Sequence, residues 1–307
     1  MPKKEKQPQR EKITIPKLYE MKAKREPVSW LTCYDYPTAL IMDRAGIEMM
    51  LVGDSAGMTM LGYPTTLPVT MDQMITFSAA VCRAVQYAFV IGDMPYMSYQ
   101  INSEEAIRNA GRFMAECGTD AVKLEGGTRV APVVEAITNA GIPVMGHIGL
   151  TPQSASQLGG YKAQGRDVET ARKLIADAKA LEEAGAFAIL LECMPAPVAQ
   201  IIHEKVKIPV YGLGSGRDVD GQLMIVHDML GLFERFVPKF VKRYANLSLI
   251  LLEAFSQYRE EVKTQNFPQP EHFYTMAEGE LERLAELFEN RGRTRRNESE
   301  MKEGAGA

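Results

Sequence analysis

Five side chains able to do proton or metal chemistry each close a short apolar run. They are Asp54 after LVG, Asp93 after VIG, Glu125 after VKL, His147 after VMG and Glu192 after ILL. Taken singly, an acid in such a place usually caps a helix or closes a turn. Four carboxylates gathered at one mouth are different, because clustered negative charge destabilises a fold unless a cation or a buried base requires it. A hard divalent ion, Mg²⁺ in particular, takes oxygen ligands and leaves positions open for water and substrate. The soft or imidazole-rich donors that zinc prefers are missing from this set. Lys123 and Glu125 stand two apart on one strand and so share a face, while Val122 and Leu124 take the other. An ammonium beside acids could hold a substrate carboxylate. The alternative, a Schiff base, is disfavoured because neighbouring carboxylates keep the amine protonated.

Other candidates carry less. Gly212-Leu213-Gly214-Ser215-Gly216 follows a strand where barrels often bind phosphate, yet its spacing is not the dinucleotide fingerprint and it also suits a plain tight turn. His203, His227 and His272 fall in helical or loop contexts, and His147 could serve only to orient its neighbours by hydrogen bonding. No G-x-S-x-G elbow occurs, which leaves Ser/His hydrolysis without support.

The elements that must position these groups follow one repeated pattern. Helix-like segments end at a Gly and lead into short apolar runs, as in AGIEMMLVGD, CGTDAVKLEG, AGIPVMGHIG and AGAFAILLEC. Strands are expected at Val28–Cys33, Met49–Val52, Phe89–Ile91, Ala121–Leu124, Pro143–Gly146, Ala188–Leu191, Val210–Leu213 and, less clearly, Leu223–Val226. Eight strands alternating with helices imply right-handed βαβ units. An α/β fold of the (β/α)₈ TIM-barrel type is the first reading, and a doubly wound open sheet the second. The intervening helices include Ser103–Glu116, read as opening on a Ser cap, and a long stretch over Val241–Thr264. Leu281, Leu284, Leu287 and Phe288 recur at helical spacing near the C-terminus, a stripe expected to dock on the protomer or on a neighbour.

Composition sets bounds. The 307 residues are 46% hydrophobic, with a formal net charge of −4. There is no basic footprint for nucleic acid and no general attraction to anionic membranes. No apolar stretch nears the ~20 residues that span a bilayer. The charged N-terminus lacks a signal peptide's apolar segment. Cys33, Cys82, Cys117 and Cys193 are too scattered for a zinc site and read as buried thiols of a cytoplasmic protein. A flexible arm is expected over 1–11, a barrel catalytic domain with closing helices over 12–274, and a C-terminal helix with a disordered tail over 275–307. The arginines at 291, 293, 295 and 296 read as solvated charge within that tail.

Several segments together resemble the ketopantoate (3-methyl-2-oxobutanoate) hydroxymethyltransferase family. They are LTCYDYPTA (Leu31–Ala39), VGDSAGM (Val52–Met58), TLPVT (Thr66–Thr70), GDMPYMSYQ (Gly92–Gln100), VKLEGG (Val122–Gly127), GHIGLTPQ (Gly146–Gln153), LLECMP (Leu190–Pro195), DGQ with DMLGL (Asp220–Leu232) and PKFVKRY (Pro238–Tyr244). The resemblance implies a barrel of the phosphoenolpyruvate/pyruvate type and a cytoplasmic enzyme of pantothenate biosynthesis. It also implies Mg²⁺ dependence and transfer of a hydroxymethyl group from 5,10-methylenetetrahydrofolate to 3-methyl-2-oxobutanoate, through an enolate that the metal stabilises. By motif it makes Asp54, Asp93 and Glu125 the metal-associated acids. Asp54, Ser55, Asp93 and Lys123 become the contacts of the 2-oxo acid, and Glu192 the proton acceptor. A large homo-oligomer, often a decamer, is implied as well. Ala56, Tyr96, Ser215 and Val219 depart from the family's usual Leu, Phe, Ala and Cys. Two other readings stay open: a C–C lyase of the same superfamily, whose KKCGH loop is missing here, and a non-catalytic barrel that binds or assembles.

Overall fold

The computed structural model describes residues 10–288. The arginine-bearing tail lies outside these residues, as does the N-terminal arm up to residue 9. The chain divides into two compact units between Ser248 and Leu249. In the first unit eight parallel strands close into a barrel in sequence order, β8 pairing with β1. The strands are β1 (Val28–Thr32), β2 (Met49–Val52), β3 (Phe89–Asp93), β4 (Ala121–Glu125), β5 (Val144–Gly149), β6 (Ala188–Glu192), β7 (Val210–Leu213) and β8 (Gly221–Met224). The helices include α1 (Ile15–Lys24), α2 (Tyr36–Ala45), α3 (Ala56–Thr59), α4 (Met71–Ala84), α5 (Ser103–Arg112), α6 (Ala131–Asn139), α7 (Val168–Glu183), α8 (Ala196–Lys205), α9 (Val226–Met229) and α10 (Leu247–Lys263), and residues 280–288 are helical as well. The closed ring excludes the open-sheet reading. None of the helices among the described residues is long and apolar enough to cross a membrane.

Strand alternation sorts the core into two shells. Leu31, Met50, Val52, Val90, Val122, Leu124, Ile189 and Leu191 face outward and pack with the helices. Trp30, Met49, Leu51, Phe89, Ile91, Ala121, Met145, Leu190 and Tyr211 fill the barrel interior. The inward parity that buries Ile91, Ala121, Met145 and Leu190 continues up each strand. It reaches Asp93, Lys123 and then Glu125, His147 and Glu192. Four strands therefore aim their polar residues at the C-terminal mouth by the same geometry that builds the core.

Several boundaries differ from expectation, each for a local reason. The cap of α5 is Asn102, whose side chain accepts from Glu105 N at 2.8 Å, and Ser103 is already helical. A π-helical turn, Phe113–Cys117, follows α5, and the Phe113 ring lies where a side chain on Gly92 of β3 would stand. β8 starts earlier because Gly221, lacking a side chain, can lie close against the Val28 backbone. It ends earlier because Ile225 caps α9 and Thr32 Oγ1 takes the Val226 N–H at 3.0 Å. The long helix begins at Leu247, since Tyr244 and Leu247 instead donate back to Met229 and Leu230. In the second unit the apolar residues of α10, among them Leu249, Leu252 and Phe255, are exposed, as are Leu281, Leu284, Leu287 and Phe288.

Candidate active site

A cleft of about 890 Å³ opens at the C-terminal ends of the strands and is lined by Asp54, Ser55, Asp93, Lys123, Glu125, His147 and Glu192. Every residue singled out from the strand ends is therefore present in one site. Asp93 and Lys123 are register partners on β3 and β4, with Asp93 Oδ1 2.8 Å from Lys123 Nζ. Asp93 Oδ2 accepts the Asp54 N–H at 3.0 Å, which fixes the turn after β2. Ser55 Oγ lies 2.8 Å from the Tyr34 hydroxyl. Glu125 pairs with His147 across β4 and β5, and His147 Nε2 lies 3.1 Å from Glu192 Oε2. That last contact is at ion-pair distance without hydrogen-bond alignment, as is Asp93 Oδ1 with Lys123.

The electrostatics follow from burial. Burial raises Asp54 well above its usual range, with Asp93 and Glu125 adding to the shift. Asp93 is also raised by burial, although the Lys123 ammonium pulls it back. Burial alone would lower Lys123, but Asp93, Glu125 and Asp54 outweigh it and hold the ammonium charged. A charged ammonium is a poor nucleophile, which weighs against the Schiff-base alternative. For His147, burial and Lys123 push downward, and Glu125 with Glu192 win, raising the ring to about 9. The Cys193 thiol, also on the cleft wall, is pushed up to about 12 by burial, which disfavours the thiolate that a nucleophile needs. All four cysteines are free; only Cys33 is fully buried, the others being half-buried.

Two residues that organise the site escaped the reading of the sequence. Gln153 donates from Nε2 to Asp54 Oδ2 at 2.9 Å and to the Met94 carbonyl at 3.0 Å, and its backbone N–H donates to Glu125 Oε2 at 3.0 Å. Tyr99 donates to Gln153 Oε1 at 2.7 Å and accepts the Glu125 N–H at 3.1 Å. Both lie inside segments that carry the family resemblance, GHIGLTPQ and GDMPYMSYQ, which was the available signal. The remaining histidines have local partners: His203 meets Asp220 at 2.9 Å, His272 accepts from Gln269 N, and His227 packs on Tyr34. Of the glycine-rich turn, Leu213, Gly214 and Gly216 reach the cleft. Ser215 points away and donates to the Leu191 carbonyl at 3.1 Å. Ala56, Tyr96 and Val219 are likewise not part of the lining.

The end of β6 is held by a close backbone approach. Gly149 (φ +100°) pairs with Glu192, and a Cβ there would collide with the Glu192 carbonyl oxygen. Backbone cannot yield as a side-chain tip can. Gly149→Ala is therefore expected to lower the unfolding free energy by about 1–3 kcal/mol in urea denaturation. An unchanged midpoint would mean that the strand end moves freely.

A family model described as ketopantoate hydroxymethyltransferase matches residues 12–270. The 3-methyl-2-oxobutanoate hydroxymethyltransferase of Carboxydothermus hydrogenoformans is 53% identical over 274 residues, covering 89% of this chain and 99% of that protein. That of Moorella thermoacetica is 54% identical over 266 residues, covering 87% and 99%. Among solved structures, phosphoenolpyruvate phosphomutase from Streptomyces platensis subsp. rosaceus superimposes with a TM-score of 0.56 at 16% identity, over 94% of this chain and 99% of that one. 2,3-Dimethylmalate lyase, a PEP mutase/isocitrate lyase superfamily member, does so with a TM-score of 0.52 at 14% identity, over 93% and 99%. At those identities the structures speak for the barrel alone. The sequence relatives reach further, because they run across every strand that supplies the cleft: the chain belongs to the ketopantoate hydroxymethyltransferase family.

Proposed function

We propose that the protein converts 3-methyl-2-oxobutanoate, 5,10-methylenetetrahydrofolate and water to 2-dehydropantoate and tetrahydrofolate, with Glu192 as the base and a Mg²⁺ ion at the acidic wall. The observation that carries this reading is the pairing, within one cleft, of buried acids around a charged Lys123 with a separate carboxylate, Glu192, at the next strand ends. The proposed catalytic domain is 12–274.

The acidic wall fits a hard cation in its chemistry. Its donors are carboxylate oxygens, Asp54 and Asp93 are buried with raised pKa values, and Asp93 Oδ1 has no aligned hydrogen bond. Among the described residues no three His, Cys, Asp or Glu side chains are already grouped around one point. Mg²⁺ needs only one or two carboxylates and completes its shell with water and substrate oxygens. Asp54 and Asp93 would hold it, with Glu125 adding charge. The ion, when bound, draws electron density from the 2-oxo group and makes the neighbouring C3–H more acidic.

The chain's own residues supply the rest. Lys123 and Ser55 orient the 2-oxo acid, the ammonium offsetting the substrate carboxylate. Glu192 removes the C3 proton, and the electron pair left at C3 attacks the folate methylene carbon as one of its two C–N bonds breaks, the freed nitrogen taking the proton that Glu192 carried. Water then displaces the second nitrogen, leaving its hydroxyl on the transferred carbon and its other proton on that nitrogen, so that tetrahydrofolate departs. His147, between Glu125 and Glu192, positions the base. The same reading makes the enzyme cytoplasmic and a homo-oligomer, for which the exposed apolar residues of α10 offer a surface.

A turnover assay with both substrates tests the proposal. 2-Dehydropantoate should form only when both are present, and should fall at least about a hundredfold after EDTA and return with Mg²⁺. Folate-independent cleavage of a 2-hydroxy acid would favour the lyase reading, and a complete absence of turnover the binding-protein reading.

A further inference from the structure

The acids described so far come from β2 to β6 and occupy one side of the cleft. On the other side, after β8, α9 brings Asp228 to the cleft lining. Asp228 is 6% exposed, and among the described residues no hydrogen bond or ion pair reaches its carboxylate. Burial pushes it up to about 6, while the charge of Arg243 draws it back, so it remains largely ionised at neutral pH. A buried, unpartnered carboxylate costs stability and gives nothing to the packing. The 2-oxo acid, held across the mouth, has no need of it.

The walls beside Asp228 are of a different kind from those of the acidic side. Leu223, Ile225, Phe233, Phe236 and Phe240 make a largely apolar and aromatic surface. Such a surface takes a flat ring system by stacking and area burial. The cleft volume of about 890 Å³ is also far more than a small 2-oxo acid fills, and stands near the upper end for ligand pockets. We propose that Asp228 recognises the pterin ring of the folate, its two carboxylate oxygens accepting the paired N–H groups of the 2-amino-4-oxo edge while the phenylalanine wall covers the ring face. This inference rests on the folate-dependent reaction proposed above and adds to it the residue that selects the second substrate. The match is one of shape: two adjacent acceptors on a carboxylate meet two parallel donors, as in a guanidinium–carboxylate pair. It assigns Asp228 a binding role and no part in proton transfer.

The test measures equilibrium binding of tetrahydrofolate and of its 2-desamino analogue to the full chain. Wild type should bind the analogue about 10–100-fold more weakly, the usual loss when a charge-assisted hydrogen bond is removed from a buried site. Asp228→Asn and Asp228→Ser should bind tetrahydrofolate about 10–100-fold more weakly and no longer discriminate between the two ligands. Equal affinity of wild type for both ligands would overturn the inference, as would variants that bind tetrahydrofolate like wild type. The wild-type comparison decides the matter by itself if the variants do not fold. Wild type that neither binds tetrahydrofolate nor turns over with its 5,10-methylene derivative would instead overturn the proposed function, and this assignment with it.

Discussion

Glu192→Gln is expected to suppress exchange of the C3 hydrogen of 3-methyl-2-oxobutanoate in D₂O, with a loss of about 10²–10⁴-fold. The substitution preserves shape, so the amide still occupies the end of β6 near His147 Nε2. What it removes is the ability to accept a proton. The base acts before the folate is attacked, so the exchange reaction followed by NMR isolates its role from everything at the pterin side. Binding of the 2-oxo acid should change by less than about threefold, because Asp54, Ser55, Asp93 and Lys123, which are proposed to hold it, are untouched. Exchange at the wild-type rate in the variant would sink the assignment and return attention to His147 or to water.

The second large effect is on stability. Lys123 Nζ is 2.8 Å from Asp93 Oδ1 and its side chain is 3% exposed. Its charge also holds down Asp54 and Asp93, which burial alone would raise further. Lys123→Met keeps the length of the side chain and removes the charge, leaving buried carboxylates without their counter-ion. In metal-free buffer the cost should be about 3–5 kcal/mol, the range for breaking a buried ion pair from one side. The pH dependence has a definite sign. With Lys123 gone the native-state pKa values of Asp54 and Asp93 climb further above those of the unfolded chain, so the native state holds protons that the unfolded state releases. Stability then falls as pH rises from about 4 through the raised native values. Urea unfolding at pH 5 and pH 8 should show a smaller deficit at pH 5. A variant as stable as wild type at pH 8 would mean that water already reaches and solvates these acids.

These two effects concern residues that could be read from strand ends, and the reason is periodicity. Along β4, Ala121, Lys123 and Glu125 must share one face whatever the rest of the chain does, and Val122 and Leu124 must take the other. Gly-terminated helices leading into apolar runs likewise announced βαβ units, and the eighth strand was blurred because Gly221 and Gln222 look unlike a strand out of context. Gln153 and Tyr99 were not legible as site residues. Each follows a strand by several residues, Tyr99 in a loop and Gln153 in a single 3₁₀ turn, along a path that no short-range pattern specifies.

Local pattern thus determined which side chains face the interior and which strand ends carry acids, since the two-residue repeat of a strand and the Gly cap of a helix are set within a few bonds. Family membership was legible on the same local motifs. Partnership was decided only when the ring closed. Gln153 meets Asp54 across 99 positions of sequence, and Val226 meets Thr32 across 194 because β8 pairs with β1. The same closure put Asp228 on the rim of the cleft, buried and, among the described residues, without a hydrogen-bond or ion-pair partner for its carboxylate. Sequence spacing has no term for such distances; they follow from the tilt and register of eight strands taken together.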